Sequence, residues 1–247
     1  MQDKLVWPES YINKIICGDC LEVMKGIPDK AVALVLTSPP YNTGNKSLGY
    51  HPKSTTGDKF YNEHKDNMTD FEYETFLYGA IEQSLRISRY AFWNFQIIAN
   101  NKVIVFDIFH EFKDKIKDMF IWHKQAVAQM QAGIMAKGYE IVILFGEDNK
   151  MNFPYNNFPQ NGYVPNIQEW HQREPHPDHH ALMPTSMPDY FIEYFTKTND
   201  IVLDPFSGLA TTARSAKKLG RQFIGIEISK DYCEIAQRRL AQEYLFT

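Results

Sequence analysis

A chain of 247 residues, 44% hydrophobic and 23% charged, is long enough to bury one sizeable α/β core and has a globular composition. Its start, Met1 to Pro8, has no long apolar run, and even the apolar block Ile141–Phe145 stops at Gly146-Glu147-Asp148, so neither a secretory signal nor a membrane span is expected. Three cysteines make no disulfide framework and fit a reducing cytoplasm; a formal net charge of −4 counts weakly against polyanion binding but leaves room for one basic face.

Ile12–Ile16 reads as a short strand ended by Cys17-Gly18-Asp19, and Cys20–Lys25 has helical spacing stopped by Gly26-Ile27-Pro28. Ala31–Leu36 is a continuous apolar, β-rich run, as expected of a strand buried on both faces of a parallel sheet, and it leads straight into Thr37-Ser38-Pro39-Pro40-Tyr41-Asn42. Residues 43–68 are polar and without period, and read as a loop. Phe71–Ile87 is predicted helical, with Phe71, Phe76, Ile81 and Leu85 toward the core. Ala91–Ile98 reads as a strand and Lys102–Phe112 as a helix; Met119–Trp122 and Glu140–Phe145 are further strands. A second irregular stretch, rich in Asn, Pro, aromatics and His, runs from Asp148 to about His180, and Pro188–Thr196 is a predicted helix. The end has a clear βαβα pattern: strand Ile201–Asp204, helix Thr211–Leu219, strand Phe223–Glu227, helix Asp231–Tyr244. No internal repeat is present.

The first motif with chemistry in it is Asp204-Pro205-Phe206-Ser207-Gly208-Leu209-Ala210-Thr211-Thr212, followed one helix later by Gly225-Ile226-Glu227. A strand that ends in Asp and turns into a helix through small residues makes a ligand site at the carboxyl edge of a parallel sheet. Gly208 lets backbone approach a ligand closely, and Glu227 is placed to accept hydrogen bonds from both hydroxyls of a ribose. A nicotinamide dinucleotide and another adenosine-containing molecule both satisfy that description. The turn lacks the G-x-G-x-x-G of a pyrophosphate site, which lowers the dinucleotide reading; a plain sheet-to-helix turn with a surface Glu is the structural alternative.

The second motif is Ser38-Pro39-Pro40-Tyr41, also directly after a buried strand. An exocyclic base amine is a poor nucleophile because its lone pair is delocalised into the ring. Acceptors on its hydrogens draw the nitrogen toward a tetrahedral geometry and free that pair. Ser38 Oγ and the Pro39 carbonyl suit this, two prolines stiffen the turn, and Tyr41 suits stacking on a base taken out of a duplex. Alone, the segment is equally a rigid strand-ending turn. Both motifs close parallel strands, so both turns fall along one sheet edge, as a cofactor and its substrate must.

With these motifs the chain resembles the amino-methyltransferase family of DNA modification enzymes, in its permuted (beta) order. Ser38-Pro39-Pro40-Tyr41 stands early and Asp204-Pro205-Phe206-Ser207-Gly208 late, as that family has them; Ile121–Lys124, Tyr139-Glu140 and the run from His179 to Phe195 resemble its intervening segments. The resemblance implies a single catalytic domain over 1–247 with a Rossmann-like α/β fold, a mostly parallel sheet flanked by helices, and S-adenosylmethionine as cofactor. Joining the C-terminal strand–helix pairs to the N-terminal ones restores an uninterrupted succession, with Asp19 near the cofactor adenine, Glu227 at the ribose and Asp204 near the methionine portion. Residues 43–68 and 148–176 become candidate target-recognition elements on double-stranded DNA. The resemblance further implies a homodimer and a restriction-endonuclease counterpart as partners, and no membrane. Ser before Pro-Pro-Tyr places cytosine N4 first and Asn42 keeps adenine N6 open. The family's Gly-Ser-Gly-Thr-Thr is here Gly208-Leu209-Ala210-Thr211-Thr212, which is expected to set a methyl close to the cofactor and weaken binding.

Other features are set aside. Cys17 and Cys20 have C-x-x-C spacing without a second pair and read as buried strand and helix cysteines. His171, His176, His179 and His180 lie among prolines with no metal-site spacing, so no metal is expected. Lys46, Lys53, Lys59 and Lys65 face phosphates in one reading and make a solvated loop with Asp58, Glu63 and Asp66 in the other. An amino-methyltransferase of RNA, protein or small molecules, and a catalytically silent DNA-binding relative, stay as alternatives.

Overall fold

The computed structural model describes residues 5–42, 68–98, 101–124, 138–147, 164–170 and 183–242. In chain order the elements are β1 (Lys14–Cys17), α1 (Cys20–Met24), β2 (Val32–Thr37), α2 (Asp70–Ile87), β3 (Ser88–Phe95), α3 (Lys102–Glu111), β4 (Ile116–His123), β5 (Tyr139–Gly146), β6 (Ile167–Gln168), α4 (Ser186–Phe195), β7 (Ile201–Asp204), α5 (Thr211–Lys218), β8 (Gln222–Glu227) and α6 (Lys230–Ala241).

They form one eight-stranded sheet in the order β1-β8-β7-β2-β3-β5-β4-β6. The pairs β1–β8, β8–β7, β7–β2, β2–β3 and β4–β6 are parallel; β5 is antiparallel to both its neighbours, β3 and β4. The predicted permutation is therefore realised in space. From β7 the chain steps outward through β8 to the N-terminal β1, and on the other side β2 leads outward to β3. The strand order reverses between β7 and β2, and the carboxyl ends on either side of such a switch point open a crevice for a ligand.

Period-2 alternation divides the central strands between two cores. Val35, Ala91, Trp93, Ile143 and Leu203 face a layer made by α1, α2 and α3, whereas Leu34, Leu36, Phe92, Val142, Leu144 and Val202 face α4, α5 and α6. Phe92 packs against Phe120, Phe191 and Phe195 with ring centroids 4.4 to 5.9 Å apart. Removing an aromatic ring from such a site costs about 3–5 kcal/mol.

Helix α2 starts at a capping box, Thr69 with Glu72, and buries Tyr73, Leu77, Ala80, Ile81, Ser84 and Leu85. Phe71, expected in the core, is 77% exposed, because it lies in the first turn before the helix meets the sheet; Phe76 is partly buried against the core, as expected, with its ring on Phe206. Cys20 is buried but Cys17 is exposed, and both are free thiols; burial pushes the Cys20 thiol up to about 12. The short edge strand β6 lies inside a stretch that reads as irregular in the sequence. The histidine cluster lies outside the described residues, among which no His/Cys/Asp/Glu group suited to a metal occurs. Among them also, no helix is long and apolar enough to cross a membrane.

Candidate active site

The turn after β7 and the turn after β2 are joined by a hydrogen bond. Thr37 Oγ1, at the last residue of β2, donates to Asp204 Oδ1 at 2.6 Å, and the Phe206 N–H donates to the same oxygen at 3.1 Å. Asp204 is 5% exposed. Burial raises its carboxyl to about 6 against the opposing pull of Thr37, Thr212 and the Phe206 amide. A carboxylate kept in so dry a place has no structural need of its own, since Thr37 and one amide are satisfied by a neutral acceptor equally well.

Glu227 ends β8 one strand further out. Its two oxygens accept the Gly208 N–H at 2.8 Å and the Ser229 N–H at 2.9 Å, and burial raises its carboxyl above the ordinary value. The Ile228 amide also donates to this carboxylate, and of its roughly four lone-pair sites at least one stays open to a hydroxyl. Asp19 follows β1 by way of Gly18, whose N–H donates to the Glu227 carbonyl at 2.9 Å. Asp19 Oδ1 caps α1 through the Leu21 and Glu22 amides at 2.7 and 3.3 Å. The three predicted acidic residues thus stand at the carboxyl ends of three adjacent strands.

Between them the turn of Asp204 to Ala210 is pinned by Ser207 N–H to the Ile226 carbonyl, by Ala210 N–H to the Ser207 carbonyl, and by Arg239 of α6 on the Leu209 carbonyl. Pro205 and Ser207 are buried, and Phe206 rests against Phe76 and Trp93 with centroids 5.6 and 5.7 Å away. Gly208 adopts φ 48°, in the left-handed region. Thr211 and Thr212 open α5 and are buried. Ala210, in place of the family's second glycine, takes φ 62° and ψ 37°, yet it is fully buried in the core beside α4 and α5, with Ala213 and Phe191 in the same cluster. Burial of its methyl contributes about 0.8 kcal/mol, which offsets much of a left-handed cost of about 1–2 kcal/mol. The expectation that this methyl crowds a ligand is corrected: it is a core contact.

Gly225 of β8 is required by close approach. A Cβ there would lie 2.4 Å from Ile15 Cδ1 and 2.6 Å from Ser207 Oγ. Gly225→Ala is expected to lower stability by about 1–3 kcal/mol through overpacking and to weaken cofactor binding, because Ser207 belongs to the ligand turn. Thermal denaturation with a cofactor titration checks this; a wild-type affinity would show that the turn adapts.

On the other side of the switch point, Pro39 is buried, and Pro40 has its carbonyl held by the Tyr73 hydroxyl at 2.7 Å. Ser38 Oγ and the Tyr41 hydroxyl are 2.6 Å apart. Two residues that sequence reasoning assigned no role complete the cluster: Asn94 of β3 and Glu140 of β5. Asn94 Nδ2 lies 3.3 Å from Ser38 Oγ, 3.2 Å from the Tyr41 hydroxyl and 2.5 Å from Glu140 Oε2. Burial, with Glu140 close by, raises the Tyr41 phenol well above its ordinary value, so it stays protonated. Asn42 does not face this cluster. It takes φ 51° and clamps Met68 through two hydrogen bonds of 2.9 Å, closing the base of the excursion 43–67. That excursion and 148–163 and 171–176, most of the candidate recognition stretches, lie outside the described residues.

A permuted Rossmann-like sheet with acidic residues on three adjacent strand ends and a Ser-Pro-Pro-Tyr turn across the switch point defines an enzyme that binds an adenosine-containing cofactor beside an amine substrate. The comparisons agree. The sequence profile of the DNA methylase family matches residues 32–238. The Type II methyltransferase M.HinfI of Haemophilus influenzae is 29% identical over 94% of this chain and 69% of its own length, and M.BglII of Bacillus subtilis is 27% identical over 96% and 71%. In fold, the PvuII DNA methyltransferase (cytosine-N4-specific) superposes with a TM-score of 0.73 at 16% identity, covering 96% of this chain and 91% of that one. The Thermus thermophilus protein TTHA0409, described as a putative DNA modification methylase and complexed with S-adenosyl-L-methionine, gives 0.64 at 21% identity, covering 93% and 95%. This chain belongs to the DNA methylase family of N6/N4 methyltransferases. It is an S-adenosylmethionine-dependent enzyme that methylates DNA on an amino group.

Proposed function

We propose that this enzyme methylates the N4 amine of a cytosine turned out of double-stranded DNA, at a specific short sequence. The bond between Thr37 and Asp204 carries the reading, because it sets the Ser-Pro-Pro-Tyr turn directly against the cofactor turn. When bound, S-adenosylmethionine supplies an electrophilic methyl group on a sulfonium. Asp204 holds its cationic methionine portion, Glu227 its ribose and Asp19 the adenine edge, with Pro205, Phe206, Ser207, Gly208, Thr211 and Thr212 shaping the turn around it. The donor set fits: two partly or wholly buried carboxylates and a third at the rim face a ligand that carries positive charge and hydroxyls. Ser38 Oγ and the Pro39 carbonyl accept the hydrogens of the amine, Pro40 stiffens the turn, and Tyr41 stacks on the base. No covalent bond between enzyme and base is needed, since the amine itself is the nucleophile.

Cytosine is favoured over adenine by Ser38 in the acceptor position, and Asn42 loses weight for adenine because the Met68 clamp explains it. Residues 43–68 and 148–176 supply base-edge contacts. A homodimer, a restriction endonuclease of matching specificity and a cytoplasmic location belong to the same proposal. The test is incubation of duplex DNA with labelled cofactor, digestion to nucleosides and identification of the labelled product. N4-methylcytosine is expected. N6-methyladenine would overturn the choice of base, and label in neither would overturn the activity.

A further inference from the structure

Behind Ser38 lies a buried polar cluster that an acceptor turn alone does not need. Asn94 and Glu140 are 2% and 5% exposed. One Glu140 oxygen, Oε1, pairs with Lys124, whose ammonium sits 4.7 Å above the centre of the Trp122 ring. The other, Oε2, faces the site, 2.5 Å from Asn94 Nδ2 and 3.4 Å from the Tyr41 hydroxyl. An ion pair at such depth is costly to desolvate and is weak evidence of a stabilising role.

Its effect on hydrogen-bond direction is definite. A carboxylate only accepts, so Asn94 must turn its NH2 toward Glu140, and its Oδ1 is left buried without a partner. Turning the amide over would set two oxygens against each other at 2.5 Å. One Nδ2 hydrogen goes to Glu140, which leaves one for the two hydroxyls at 3.3 and 3.2 Å, and Asn94 meets either of them only as a donor. Two arrangements of Ser38 and Tyr41 are then open. If Tyr41 donates to Ser38, the Ser38 hydrogen has no partner in the cluster and is free to turn toward the substrate as a donor. If Ser38 donates to Tyr41 and Tyr41 donates on to Glu140, one Ser38 lone pair stays open. The negative charge on Oε2 selects the second arrangement, since it draws the phenol hydrogen.

We propose that Glu140 is a positioning residue that sets the direction of the Ser38–Tyr41 hydrogen bond, so that Ser38 meets the substrate amine as an acceptor. The proposal rests on the reading of Ser38 given above. Glu140→Gln keeps the shape but removes the negative charge that draws the phenol hydrogen, so that Tyr41 is released to donate to Ser38 instead. The variant is expected to lose about 30- to 100-fold in kcat, while its KM for the duplex and its Kd for S-adenosylmethionine change by less than about threefold. Tyr41→Phe removes the middle of the chain, so adding Glu140→Gln to it should cost less than about threefold more. Losses that multiply fully, or wild-type kcat in the folded Gln variant, would overturn the proposal. Where Glu140→Gln alone fails to fold, Lys124→Met combined with it removes the stranded charge. The pair should fold, bind cofactor and still show the kcat loss; recovery of kcat would overturn the assignment. Ser38→Ala separates the two ideas, because undiminished activity there would remove the acceptor reading itself, whereas additivity at Glu140 removes only the positioning role.

Discussion

Asp204→Asn is expected to melt several degrees higher than the wild type at pH 8 and to bind S-adenosylmethionine about 100-fold more weakly. Both effects come from one buried carboxylate. The folded protein holds Asp204 at about 6, above its ordinary 3.8, with burial as the leading cause. A carboxyl raised on folding binds its proton more tightly in the native state. Its contribution is most favourable below about pH 4 and declines as the pH rises through about 6, beyond which it is constant. The gap corresponds to about 3 kcal/mol, a charge penalty carried by the native state at pH 8. An amide escapes this penalty and keeps an oxygen for Thr37 and the Phe206 N–H. Thermal denaturation from pH 4 to 8 should show the advantage of the variant shrinking as the solution is acidified. Calorimetric titration should show the opposite preference for the cofactor, with wild-type affinity falling about tenfold per unit below about pH 6 as Asp204 takes up a proton. Higher stability with undiminished affinity would place Asp204 in the scaffold and not in the site.

What could be read from the chain and what could not follow a physical division. Ala31–Leu36 and Ile201–Asp204 are buried on both faces, so they stand out as apolar runs, and their turns are marked by Pro, Gly and a terminal polar residue. Their adjacency follows from chain order once the permutation is recognised, and the structure pairs Val35 with Leu203. Asn94 and Glu140 carry no such mark. Each is a single polar residue at one end of an apolar strand, and what unites them is the antiparallel pairing of β3 with β5. Asn94 lies opposite Val142, and Glu140 is two residues before Val142 on the same face. Sequence separation hides that diagonal, and the antiparallel direction of β5 is not encoded in any local pattern. Phe71 fails for a different reason: helical period identifies a stripe but not where along the helix packing begins, and here it begins at Tyr73.

Ser38→Ala tests the chemistry most directly. The amine nitrogen gains positive charge as it bonds to carbon, so its N–H groups become stronger donors, and an acceptor placed on them is worth more in the transition state than before it. Removing one preorganised partner of this kind costs about 3–4 kcal/mol, or about 100- to 1000-fold in kcat. Cofactor affinity should stay within about twofold, because Ser38 touches the other side of the switch point and Thr37, which bonds Asp204, is unchanged. Stability should change little as well: Ser38 is only partly buried, and Tyr41 retains Asn94 and Glu140 as partners after the hydroxyl is gone. Single-turnover methylation with saturating cofactor isolates the step. A rate within about fivefold of wild type would assign the work to the Pro39 carbonyl alone, and the dense hydrogen bonding behind Ser38 would then serve only to hold Tyr41 in place.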